Sequence, residues 1–252
     1  MSTYGLPKKD RKVFFLYKNP KKLYSTTVAI VATPSLQTYV PSKGETMAEV
    51  GTITFPEYSG IRCLMMPYIQ GDPSSIPDEY DSYRDIVETT FLEVGRVGFL
   101  TIDESPVKKG APHRGARAKF DRPLHTEAGL RPDSGKFAWG GGGWGSSPLV
   151  TLDRDVQILL ANNLDDSCAL WDAEHFNTSI DGDIGDHADL YPYEDAILMQ
   201  AGAVYRIGIL TPHESKTVKE DFNRQFLRIV GSGVHGREPH FTINPLLESL
   251  AS

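Results

Sequence analysis

Thiols are almost absent: Cys63 and Cys168 are the only two cysteines in 252 residues. That excludes a disulfide scaffold and any zinc or iron–sulfur centre built on four Cys. Both lie in apolar text, Cys63 beside Leu64 and Cys168 beside Ala169 and Leu170, and read as buried small hydrophobes. Long apolar runs are missing too, and none approaches the ~18 residues that cross a bilayer as a helix. The first residues carry charge without an extended apolar stretch, so they do not read as a secretory signal. The expectation is a soluble, cytoplasmic protein with no membrane partner. Basic charge is scarce: Lys plus Arg is 26 against 33 for Asp plus Glu, a formal net charge of −7. An acidic chain without a basic run suits a phosphate backbone poorly, so nucleic acid is not an expected partner. No Gly-x-Ser-x-Gly elbow surrounds Ser146, and no Lys-Ser/Thr follows the glycine run between Trp139 and Trp144. A serine nucleophile and a phosphate loop are therefore both poor readings.

What is present points to β structure. The chain has 23 Gly and 17 Pro, an excess of turn-formers without low complexity. At 40% hydrophobic residues it can bury one sizeable core. No composition break marks a boundary, so one domain is expected over 1–252. Residues 1–97 would hold N-terminal strands and a helix, 98–230 the β core, and 231–252 a tail. Segments 13–17 and 27–31 are rich in β-branched and aromatic residues, as strands are. Apolar residues recur at helical spacing from Tyr80 to Val94, predicting a helix over 78–95 ended by Gly95 and Gly98. Further strands are expected at 98–102, 155–161, 167–172, 196–210 (as two) and 224–230. A helix followed by short strands bounded by turn residues predicts a mainly β fold with flanking helices, a sandwich or barrel.

The chemistry is most legible in the histidines. In His125-Thr126-Glu127, the first and third residues share one face of an extended chain. With His213, contributed by a later strand folding alongside, they form a two-His-one-carboxylate set, which suits a non-haem iron with open positions. Alone, His-x-Glu is weak and is more often a solvated or hydrogen-bonded His beside a surface Glu. Arg224 and Arg228 add weight, since with Phe226 they share one face of a strand-like segment and two guanidiniums there need anions. A dicarboxylate supplies them, as would nearby Glu220 or Asp221. His187-Ala188-Asp189 is a competing pair, but its polar surroundings read as a surface loop. The glycine-rich 139–145 segment is either a lid bearing Trp139 and Trp144 or a surface connection with one packed Trp.

These motifs together resemble the Fe(II)/2-oxoglutarate-dependent dioxygenases, over about residues 98–230. The resemblance implies a double-stranded β-helix, a jelly-roll or cupin-like barrel. It implies Fe(II) held by His125, Glu127 and His213, and 2-oxoglutarate held by Arg224 or Arg228. Glu127 departs from the usual His-x-Asp pattern, which leaves the carboxylate less secure than the two His. The implied reaction uses O2 and oxidises a small molecule, such as an amino acid or related metabolite, by hydroxylation or oxidative ring closure. In this respect the chain is similar to small oxygenases of fungal secondary metabolism, including those that close an aziridine on valine. Arg122 and Trp144 are the candidate substrate contacts. Two other readings stand beside it. A cupin-like metalloenzyme would need no 2-oxoglutarate and would draw on His113 as a further ligand. A non-catalytic jelly-roll binding module would use the Trp and Tyr side chains as stacking platforms.

Overall fold

The computed structural model describes residues 46–113, 122–140, 147–176 and 181–247. All of them belong to one compact unit, Ser35–Ser252. The strands expected at 13–17 and 27–31, and Trp144, lie outside the described residues.

In chain order the elements are β1 (Met47–Thr52), β2 (Arg62–Ile69), α1 (Arg84–Thr89), β3 (Val97–Val107), β4 (Ala128–Leu130), β5 (Phe137–Trp139) and β6 (Ser147–Leu152). There follow β7 (Gln157–Asn162), β8 (Cys168–Leu170), β9 (Ile197–Leu198), β10 (Ala203–Gly208), β11 (His213–Ser215), β12 (Phe222–Val230) and β13 (Val234–His235). The fold is mainly β, as expected. A six-stranded sheet runs β1-β10-β7-β12-β3-β2, a second runs β11-β8-β9, and a third runs β13-β6-β5-β4. Every strand pairing is antiparallel. No helix among the described residues is long and apolar enough to cross a membrane.

Side-chain alternation divides the six-stranded sheet into two faces. The inner face packs against the two smaller sheets, in a cluster that includes Met65, Trp139, Val150, Ile158, Leu170 and Ile207. The outer face, with Leu100, Leu159, Leu227 and Ile229, is covered by Tyr80, Tyr83, Ile86 and Val87 of the helical segment. Burying these two apolar faces is the main stabilising term of the fold. A bulge in β2 between Cys63 and Met66 serves both faces. It turns Met65 inward with a left-handed φ of 46° and leaves Met66 in the outer cluster. The Met65 amide donates to Thr101 Oγ1 at 3.1 Å, which helps hold this strained residue.

The expected helix over 78–95 needs correction. A 3-10 turn over Asp78–Tyr83, kinked at Tyr80, leads into a six-residue α1 that stops at Thr89. Its neighbour Gln70 explains the stop. The Gln70 side-chain carbonyl accepts the amides of Leu92 and Glu93, and its backbone carbonyl accepts that of Gly95. These bonds replace the helical ones beyond Thr90. Gly98 sits inside β3 rather than at a helix end. The strands expected at 98–102, 155–161, 167–172, 196–210 and 224–230 are present, with β3 running on to Val107 and β12 starting at Phe222, while β1, β2, β4, β5, β6, β11 and β13 are additional to those ranges.

Candidate metal centre

Residues 124–128 are stitched to the fold along both edges. His125 exchanges both backbone hydrogen bonds with His213, at 3.0 and 2.9 Å. On the other edge Thr126 N–H donates to the Gly182 carbonyl at 2.8 Å, and Ile184 N–H to that of Leu124 at 3.1 Å. Gly182 is required there: its φ is +70°, and a Cβ would stand 2.1 Å from the Thr126 carbonyl oxygen. The extended backbone puts His125 and Glu127 on the inner face, with Thr126 on the other.

His125, Glu127 and His213 meet as a buried group whose ligand atoms all lie within 4.8 Å of one another. Those dimensions suit three ligands of one metal ion, and two imidazoles with a carboxylate suit a borderline divalent cation. Backbone carbonyls orient the imidazoles. His125 Nδ1–H donates to the Pro123 carbonyl at 2.9 Å, and His213 Nδ1–H to the Thr211 carbonyl at 2.9 Å. Both rings thus carry the proton on Nδ1, which leaves the Nε2 lone pair for an ion. The two rings stand edge to face, with centroids 3.9 Å apart. His213 Nε2 approaches Glu127 Oε1 at 3.3 Å.

The two strand arginines sit on the inner face of β12 but in different company. Arg228 pairs with Glu127, its Nη1 lying 3.2 and 3.0 Å from the two carboxylate oxygens. Its Nη2 reaches Thr101 Oγ1 at 3.4 Å, and its guanidinium carbon lies 4.7 Å from the Trp139 ring centroid. Trp139 is accordingly a core residue of β5 that stacks on a cation. Arg224 is just as buried, at 1% exposure. Its Nη1 donates to Ser215 Oγ at 2.9 Å, Cys168 is a further side-chain hydrogen-bond partner, and its Nε has no partner. Among the described residues no carboxylate lies within ion-pair distance of it. Burial pulls its guanidinium below the usual value, against the opposing influence of Cys168 and Asp103.

Ser215 is a residue that sequence reasoning missed. It lies on β11 two positions beyond His213 and so faces the same way. Its Oγ accepts from Arg224 and from the His113 amide, at 2.9 and 3.1 Å. Both lone pairs are then occupied, and the hydroxyl proton remains to be donated. Thr101 was missed as well, and so was the pairing of Gly182 with Thr126, for neither carries a motif. The Asp181-Gly-Asp run before His187 was legible only as a turn.

The remaining candidates lie apart. Arg122 is on the far side of β11 from His213, bonded to Glu214 at 2.8 Å and to the carbonyls of Ala188 and Tyr191. It stacks on the rings of Trp171 and Tyr193, and Tyr193 in turn donates to Glu214. Burial and the Glu214 carboxylate push the Tyr193 phenol up to about 12. His187 and Asp189 are exposed on a 3-10 turn, the surface loop that was expected. His113 Nε2 faces Ser105 Oγ at 2.6 Å and lies 3.6 Å from Asp103. Burial raises the Asp103 carboxyl despite Arg62 at 3.1 Å.

No protein-family model, no curated protein and no solved structure shows significant similarity to this chain.

Proposed function

We propose that this chain is a non-haem Fe(II)/2-oxoglutarate-dependent oxygenase of a small molecule, an amino acid or a related metabolite. The observation that carries the reading is Arg224. A fully buried guanidinium with no carboxylate partner is costly, and the cost is offset if an anion binds there. The unused Arg224 N–H and the Ser215 hydroxyl proton form a donor pair on the same inner face as His125, Glu127 and His213. One end of a dicarboxylate would rest on that pair while the other reached the metal. Arg228 is occupied by Glu127, so of the two strand arginines Arg224 is the co-substrate anchor.

The order of strands supports a double-stranded β-helix as the core. From β3 to β13 the chain passes back and forth between the large sheet and the two smaller ones, the course of a jelly-roll. When bound, Fe(II) would supply the redox chemistry that couples oxidative decarboxylation of 2-oxoglutarate to oxidation of the substrate by O2. This chain's residues do the rest. His125 and His213 present Nε2 and are kept in that tautomer by backbone carbonyls. Glu127 supplies the anionic ligand. Arg224 and Ser215 bind and orient the distal carboxylate. Trp139, Leu170 and Met65 keep water from the inner face. Hydroxylation and ring closure both fit this machinery. A cupin-like enzyme without 2-oxoglutarate, or a binding module, would leave Arg224 without a role.

The test is succinate formation from 2-oxoglutarate by anaerobically Fe(II)-loaded protein after air is admitted, over a panel of free amino acids. Turnover should disappear in His213→Ala and in Arg224→Met, and a stimulating amino acid would identify the substrate class. Turnover indifferent to Arg224→Met would overturn the assignment of the anchor. No turnover, with no rise in Tm on adding metal plus 2-oxoglutarate, would favour the cupin or binding-module readings.

A further inference from the structure

The pairing of Arg228 with Glu127 has a thermodynamic consequence for loading the centre. Glu127 is the one anion among the three ligands, and it faces a guanidinium that is itself 1% exposed. Only one nitrogen, Nη1, lies against the carboxylate, at 3.0 and 3.2 Å. A carboxylate has about four lone-pair sites, so Arg228 leaves room for an ion on Glu127 without departing. Nor is it free to depart, because Thr101 and the face of Trp139 hold its other side. A metal on His125, Glu127 and His213 would therefore share Glu127 with a fixed cation a few ångströms away. Unit charges at such range repel strongly inside a protein.

We infer that Arg228 is a built-in counter-charge on Glu127 that makes metal occupancy conditional on an anionic chelator. The inference rests on the metal-site reading above. Among the described residues, Glu127, Arg224 and Arg228 together carry a net charge of +1, with Asp103 paired to Arg62. A divalent cation raises that to +3, and a dianion that chelates it restores +1. Metal alone is thus opposed by the site, and metal with a dianion is not. Arg228 is a positioning and charge-balancing residue in this scheme. It keeps Glu127 oriented in the metal-free protein and disfavours a bare ion in the open centre.

Mn(II) binding, followed by calorimetry and by the EPR signal of the free ion, tests this with and without oxalate as the dianion. The proteins are wild type, Arg228→Gln, Arg228→Lys and His213→Ala. Arg228→Gln should bind Mn(II) alone about tenfold more tightly than wild type, as expected for removing one nearby repulsive charge. Arg228→Lys should stay close to wild type. Oxalate should tighten Mn(II) binding more in wild type than in Arg228→Gln. Binding by Arg228→Gln that equals or falls below wild type overturns the inference. So does an Arg228→Gln chain that remains unfolded in millimolar Mn(II), since the ion should replace the lost cation. Uptake that survives His213→Ala in every protein sinks the metal centre and the inference with it. Uptake lost in His213→Ala but not tightened by Arg228→Gln sinks the inference alone.

Discussion

His125 and His213 are cross-strand partners: each donates its amide to the other's carbonyl, at 3.0 and 2.9 Å. Their imidazoles are brought together by backbone hydrogen bonds that need no metal, so the centre is set by the sheet. His213→Ala removes a ligand and leaves that backbone pair intact. At a metal concentration about 100 times Kd, binding stabilises a fold by ~2.7 kcal/mol. For a domain of this size that is a rise in Tm of roughly 5–10 °C. Differential scanning fluorimetry with Mn(II) and oxalate together should show the rise in wild type and none in His213→Ala. An equal rise in both would locate the ion elsewhere.

Arg224→Met separates a ligand-binding arginine from a structural one. The substitution gives up a hydrogen bond to Ser215 and removes a buried charge that has no carboxylate partner. Stability in urea should be unchanged or higher, by up to ~2 kcal/mol, because apolar replacements of buried charges are often neutral or stabilising. Affinity for 2-oxoglutarate should fall at least tenfold. A variant that loses more than about 2 kcal/mol would mark Arg224 as structural.

Glu104 offers a pH-dependent test away from the centre. It is buried on the outer face and accepts from the amides of Ser59, Gly60 and Ile61, from Tyr83 and from Gln225. Burial alone would raise its pKa, but these donors outweigh it and hold the carboxyl below the usual glutamate value. A depressed folded pKa gives stability that is full above the unfolded value and lost as pH falls through the folded one. Glu104→Gln should cost ~2–4 kcal/mol near neutrality. The gap from wild type should narrow as pH drops below 4.5. Urea titrations across that range decide it, and a gap that stays constant would show that the carboxylate charge is not what the site uses.

Gly182→Ala should damage folding and the centre together. The added methyl meets the Thr126 carbonyl oxygen at 2.1 Å, on a backbone whose φ of +70° already disfavours a side chain. A loss of at least ~1–3 kcal/mol is expected, along with weaker Mn(II) binding as residues 124–128 shift. Wild-type stability and metal affinity in this variant would mean that the 182 turn yields freely.

Cys63 should be inert in the native state. Burial pushes its thiol up to about 12, so almost no thiolate exists near neutral pH. Labelling of Cys63 by a thiol reagent at pH 8, read by mass spectrometry, should proceed only in denaturant. Rapid labelling of the folded protein would contradict this placement.

Residues that repeat a physical pattern were legible in the sequence. Short segments bounded by turn residues revealed β7, β10 and β12, and period two put Arg224 and Arg228 on one face. The His-x-Glu spacing, with His213 and the arginine pair beside it, singled out His125 and Glu127, and the fold brings His213 next to them. The short α1 was overestimated, because an apolar helical period says nothing of Gln70, which captures the amides of Leu92 and Glu93. The partners of the two arginines were open from sequence, since Glu127 lies about a hundred residues from Arg228 and pairs with it only through tertiary packing. Ser215 and Thr101 were invisible for a similar reason: a lone hydroxyl gains its meaning from the neighbours it is given. Arg122 looked like a site residue because it is near His125 in the chain, yet β11 separates the two in space.

Strand β12 shows that a functional residue can also be a safeguard of folding. Its odd and even positions belong to different worlds: Leu227 and Ile229 seal the helix-covered core, while Arg224 and Arg228 occupy the polar interior. Sliding the strand by one residue would exchange them. Two guanidiniums would then be forced among tyrosines and aliphatic side chains, far from Glu127 and Ser215. Such a misalignment is penalised more heavily than in a strand built from hydrophobes alone, where one apolar residue can stand in for another. The residues proposed to do the chemistry thus act as an alignment key, and replacing both with leucine would make a slipped or swapped sheet easier to form.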